Sequence, residues 1–173
     1  AWQVHAAPGH DPHAVLLFEP QDALLISGDA LWENGVGGVF PELEGEDAFA
    51  AVGATLDLIA QLAPRLVLPG HGSLFGDVPR ALATARKRLA GFQSDPHKHA
   101  LYAAKALLKY KLLEWQRAPW PQVQTWAQAT PLFHAMHQRH FAAQPFSTWV
   151  QSLAQQLEQS GAAQREGEWL VNR

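Results

Sequence analysis

The chain of 173 residues has no cysteine, one methionine and two tyrosines. Without cysteine there can be no disulfide scaffold, no thiolate zinc site and no thiol nucleophile. Charge is also sparse. Only 17% of residues are charged and the formal net charge is -3, which argues against a broadly basic nucleic-acid surface. No apolar run approaches the ~20 residues needed to span a bilayer. No membrane association is therefore expected, and the cytoplasm is the expected compartment. There is no internal repeat and no low-complexity tract.

Apolar residues are plentiful at 47%, and there are seven tryptophans and nine histidines. That content in a chain of this length predicts a globular domain, or a domain with a small appendage. Residue 1 is alanine, and the single methionine is Met136. The expectation is a piece of a longer protein.

Residues 14–18 and 23–27 are short apolar runs around a polar turn, which predicts a β-hairpin. Residues 30–45 hold Gly35, Gly37, Gly38 and Pro41 and read as a loop. Phe49, Val52, Leu56 and Ile59 then follow helical spacing, with Glu46 and Asp47 suiting the helix start. Residues 65–69 predict a third strand. Asp77 is an N-cap for a helix through Val78, Leu82, Ala85, Leu89 and Phe92. From Asp95-Pro96 onward the chain is almost all helical. Short helical pieces are expected over 117–145, then a helix from Phe146 closed by Gly161, and a tail that can form a small hairpin. The boundary is placed between residues 1–93 and 94–173.

Three motifs share one format: Pro8-Gly9-His10, Ser27-Gly28-Asp29 and Pro69-Gly70-His71-Gly72. Each puts a metal-capable side chain beside a glycine at a strand end or loop. Glycine lets backbone approach closely. His and Asp are donors that zinc, iron and manganese accept. Any one motif alone is weak.

Taken together, in this order and spacing, the three motifs resemble the second half of the metallo-β-lactamase-fold hydrolases. The resemblance covers about residues 3 to 92. It implies an α+β architecture, namely the C-terminal half of an αββα sandwich with a binuclear metal site at one edge. It implies His10 on a first metal, His71 on a second, and Asp29 bridging both as the catalytic carboxylate. Two divalent metals, zinc or else iron or manganese, are the implied cofactors. The implied reaction is hydrolysis of a small ester or thioester, as in hydroxyacylglutathione-hydrolase-like members. The chain departs from the family in one respect: the signature His-x-His-x-Asp-His cluster is absent. One terminal ligand per metal plus a bridge is left, whereas a catalytic zinc normally takes three protein ligands. The chain alone is therefore expected to be inactive, and its partner is expected to be a missing N-terminal half or another subunit, with a homo-oligomer as an option.

The loop after Asp29 makes Trp32, Glu33 and Asn34 pocket candidates, and His13 follows the first motif closely enough to join them. His5 reads as structural. His97 and His99 point in nearly opposite directions on a helix. His134, His137 and His140 read as surface or packing residues. The helical part from residue 94 resembles the small winged-helix-like domain that β-lactamase-like endoribonucleases carry. That resemblance makes single-stranded RNA an alternative substrate and a non-catalytic association module a third reading. Lys98, Lys105 and Lys109 share a helix face that could touch phosphate, but a tail without net positive charge disfavours nucleic acid. Trp115, Trp149 and Trp169 read as core. Trp120 and Trp126 read as packing between the two parts.

Overall fold

The computed structural model describes all residues, 1–173. It is mixed helix and sheet, and it divides into two compact units, Ala1–Asp95 and Pro96–Arg173.

The first unit is a four-stranded sheet with helices on one face. Its strands are β1 (Gln3–Ala6), β2 (Val15–Glu19), β3 (Leu24–Gly28) and β4 (Leu66–Pro69), in the order β1-β2-β3-β4. The first three are antiparallel neighbours and β4 lies parallel to β3. The β2–β3 turn is tied by Glu19, whose carboxylate accepts the N–H groups of Gln21 and Asp22. A parallel neighbour needs a crossover, and helices α1 (Phe40–Glu44) and α2 (Phe49–Leu62) supply it. Helix α3 (Val78–Ser94) follows β4.

Helix α1 lies in the segment predicted as loop, and its glycine-rich flanks hid it. It also caps α2. Glu42 Oε2 accepts the N–H groups of Ala48 and Phe49 at 2.9 and 3.1 Å, so that role does not fall to Glu46 or Asp47. Asp77 caps α3 as expected, accepting from the Arg80 N–H at 3.2 Å.

Strand alternation puts Leu16, Phe18, Leu25 and Val67 on one face of the sheet. They are buried with Val52, Leu56 and Ile59 of α2 and Ala81, Leu82, Ala85 and Leu89 of α3. The other face carries Val4, Leu17, Ile26 and Leu68 in cross-strand register. It is apolar too, yet Val4 is 68% exposed and Val15 51%.

The second unit begins with α4 (Pro96–Trp115). It continues through β5 (Arg117–Pro119), α5 (Trp120–Ala129), α6 (Pro131–Met136), a π-helical turn (His137–Phe141) and α7 (Phe146–Gln159), and ends in β6 (Ala163–Glu166) and β7 (Trp169–Asn172). The hairpin tail is present. It gains a third strand in β5, in the order β5-β7-β6, where only helical pieces were expected. Proline at 119 and 121 masked that strand. Trp126 packs on Trp115 and Phe133, and Arg165 lies over the Trp120 ring at 4.4 Å, so both tryptophans have partners inside this unit. Trp149 is buried as expected. Trp169 is 39% exposed, with Arg117 over its ring at 4.2 Å, and is not core. Lys109 is not a phosphate-facing lysine, because it is occupied by carbonyls of the C-terminal hairpin. His134 and His137 donate Nε2–H to the backbone carbonyls of Gln128 and Gln144 and pack on Phe146. No helix is long and apolar enough to cross a membrane.

Candidate functional site

His10 stands in the loop that leaves β1, Asp29 follows β3 directly, and His71 follows β4. Strands β3 and β4 are parallel neighbours, so their carboxyl ends reach the same edge of the sheet, a usual place for a site in such sheets.

The glycines of the motifs have steric reasons. At Gly9, φ is +138°, and an added Cβ would lie 2.5 Å from Val52 Cγ2 and 2.9 Å from Val52 N. Only glycine lets this loop lie against α2. Thr55 on α2 then donates its hydroxyl to Pro8 O at 3.0 Å, which pins the loop. At Gly70 an added Cβ would lie 2.6 Å from Asp29 Oδ1 and 3.1 Å from the Gly28 carbonyl carbon. Gly70 instead donates its N–H to Gly28 O at 2.8 Å. The absent side chain makes room for the carboxylate.

Asp29 is the hub. Its Oδ1 lies 2.6 Å from His71 Nδ1 and accepts the Trp32 indole N–H at 2.9 Å. Its Oδ2 lies 3.8 Å from His10 Nε2. Partial burial pushes the Asp29 carboxyl up. The hydrogen bonds from His71 and Trp32, with the electrostatic influence of the two neighbouring histidines, outweigh it and hold the group below the ordinary carboxylate range.

The outer nitrogen of His10, Nδ1, lies 2.7 Å from Gly38 O. A histidine whose one nitrogen faces a carbonyl presents the other as an acceptor, which is how ligating histidines are oriented. Its ring also meets Phe40 edge-on at 5.8 Å. His10 and Asp29 line a recess with Ala7, Val36, Val39, Val52 and Thr55, with room for about one water molecule.

Of the four other pocket candidates, Glu33, Asn34 and His13 make their contacts away from Asp29. Glu33 is paired with Arg80 at 2.9 Å. Asn34 offers its backbone carbonyl to Arg88 at 2.8 Å. His13 is exposed, and its backbone N–H donates to Asp11. Trp32 does reach the site, through its N–H and through an edge-on ring contact with His71 at 5.2 Å. Sequence reading missed Gly38 and Arg88. Their contacts span 28 and more than 50 residues and leave no local trace.

A metal centre is what such donors suggest, and convergence of the donors on one point decides the fit. No group of three or more His, Asp or Glu side chains converges on a point that could hold a metal ion. His71 Nδ1 faces the Asp29 carboxylate itself. The three side chains are gathered around one carboxylate but do not form a metal cage alone. A catalytic zinc needs about three protein donors on one point, and these three do not converge on one.

No family model and no curated protein matches the chain. Solved structures do resemble it. One is the metallo-beta-lactamase family protein TTHA1429 from Thermus thermophilus, 22% identical. The match covers 99% of this chain and 49% of that one, with a TM-score of 0.45. A beta-lactamase domain protein from Burkholderia ambifaria is 21% identical over 99% of this chain and 47% of its own length, with a TM-score of 0.44. TTHA1623 in a di-iron-bound form is 34% identical over 49% of this chain and 41% of that one, with a TM-score of 0.41. The chain is thus similar to metallo-β-lactamase-family proteins, and it spans about half the length of the structures it matches.

Proposed function

We propose that the chain is one part of a metal-dependent hydrolase of the metallo-β-lactamase kind, acting on a small ester or thioester. The observation that carries this reading is the gathering of His10, Asp29 and His71 at one sheet edge from three separate segments. These residues are this chain's share of a donor set, and the remaining donors come from a preceding segment or a second subunit. The apolar sheet face bearing Val4 and Val15 supports such a partner, since exposed apolar faces of this kind mark association. The hydrolytic reading is tested by metal content and by hydrolysis of S-lactoylglutathione in the protein complete with those donors. Activity that survives Asp29→Ala contradicts it.

A phosphodiester in single-stranded RNA is the second reading. Arg117 over Trp169 and Arg165 over Trp120 favour it, because aromatic and arginine planes are what unpaired bases stack on. Arg165 also lies 3.5 Å from Glu158, which offsets part of its charge. Parallel assays on an RNA oligonucleotide and the thioester separate the two. The third reading, a non-catalytic association module, predicts partner binding with neither activity.

A further inference from the structure

Trp32 does more than border the site. Its indole N–H and the His71 imidazole both meet the same carboxylate oxygen, Oδ1 of Asp29, at 2.9 and 2.6 Å. The ring also stands edge-on to the imidazole, with centroids 5.2 Å apart. Two contacts thus fix the carboxylate rotamer and the histidine ring at once. With Oδ1 engaged twice, Oδ2 is the oxygen turned toward His10.

Trp32 is itself held. It opens a tight turn closed by its own backbone bonds with Gly35 at 2.8 and 3.2 Å. From α3, Arg88 donates to Val36 O at 2.7 Å and to Asn34 O at 2.8 Å. The planar guanidinium grips both carbonyls in a fixed fork, which a lysine cannot reproduce. The turn fits it closely, since a Cβ on Gly35 would sit 3.1 Å from the Arg88 guanidinium carbon. Behind the ring, a Cβ on Gly37 would lie 3.0 Å from the Trp32 rim and 3.2 Å from the His10 ring. A side chain at Gly37 would therefore crowd both the Trp32 ring and the His10 ring.

We propose that Trp32 is a positioning residue for the Asp29–His71 pair, selecting Asp29 Oδ2 as the presented oxygen, and that Arg88 acts through the turn to hold Trp32. The proposal deepens the metal-site reading and rests on it for its functional meaning. The geometry it claims can be read without any metal.

The test is nitrogen-15 NMR on the metal-free protein, following the Trp32 indole N–H and the two ring nitrogens of His71. In the native protein His71 shows two well-separated ring-nitrogen resonances, those of one fixed tautomer. Trp32→Phe keeps an aromatic ring but removes the donor, and His71 moves toward the averaged pair of an unrestrained imidazole. Asp29→Ala shifts the Trp32 indole resonance. Arg88→Lys perturbs both signals through the turn it grips. Arg80→Lys, which loosens Glu33 and Asp77, leaves both in place. Should Trp32→Phe fail to fold, the Asp29→Ala and Arg88→Lys spectra decide. Unchanged His71 resonances in Trp32→Phe, an indole signal indifferent to Asp29→Ala, or no effect of Arg88→Lys overturns the proposal. Failure of the metal-hydrolase reading shows separately, as native NMR signatures in a longer protein that supplies the remaining donors and still takes up no metal.

Discussion

His71 Nδ1 lies 2.6 Å from Asp29 Oδ1, across 42 residues of chain. The contact exists because β3 and β4 are parallel neighbours whose carboxyl ends finish together. It also exists because Gly70 leaves space for the carboxylate. The site is thus a consequence of the β3–α2–β4 crossover.

Gly70→Ala tests that dependence. The new methyl would need the space held by Asp29 Oδ1 and the Gly28 backbone, and backbone cannot yield cheaply. Overpacking of this kind costs about 1–3 kcal/mol. A lowered urea midpoint together with a displaced Trp32 indole resonance is the expected outcome. Native stability with a native indole signal contradicts it.

Stability falls in mild acid through His99. This side chain is 1% exposed near the start of α4, and burial, then the charge of His140, pulls its pKa down to about 4. His140 is lowered too, first by burial, then by Arg139 and His97. In the unfolded chain a histidine titrates near 6.5, so between the two values the unfolded state binds more protons. The stabilisation is complete above about pH 6.5 and is lost as pH falls toward 4. At ~1.4 kcal/mol per unit, His99 alone accounts for roughly 3 kcal/mol. Urea unfolding of the second unit at several pH values measures it, and His99→Gln flattens the slope.

Lys109 anchors the C-terminal hairpin. Its ammonium donates to Ala162 O at 2.7 Å, to Arg173 O at 2.6 Å and to Asn172 Oδ1. Lys109→Met removes a charged donor from three acceptors and costs about 1–3 kcal/mol. Amide exchange should quicken in β6 and β7 and remain native in α5. Uniform exchange across the unit speaks against a local anchor.

The apolar sheet face predicts self-association of the 173-residue chain. Val4 and Val15 lie on the same face and are largely exposed. Sedimentation should show concentration-dependent association that a Val4→Lys, Val15→Lys pair reduces. A wild-type monomer at its highest soluble concentration counts against this.

Much of the site was legible in the sequence because each donor sits beside a glycine or proline at a strand end. Local sequence encodes such punctuation directly. The strands β2, β3 and β4 and the stripes of α2, α3 and α7 were legible for the same reason, since short apolar runs and helical spacing are local. What escaped depends on contacts across the fold. Glu42 caps a helix it does not belong to. Arg88 grips carbonyls 52 and 54 residues away. The strand β5 exists only because β7 pairs with it. Trp32 was legible as a neighbour of the site, while its bond to Asp29 needed the turn at Gly35 to aim the indole. Trp169 shows the converse, because an apolar cluster in a two-sided hairpin need not face inward.

We propose that His10, Asp29 and His71 belong to a metal-binding donor set completed by residues outside this chain. The most direct test is metal content after dialysis, for the 173-residue chain and for a longer protein that supplies a His-x-His-x-Asp-His segment. The chain alone should retain no metal and the longer protein about two ions per molecule, both lost on Asp29→Ala. Metal held tightly by the chain alone, or full occupancy in Asp29→Ala, would contradict the proposal.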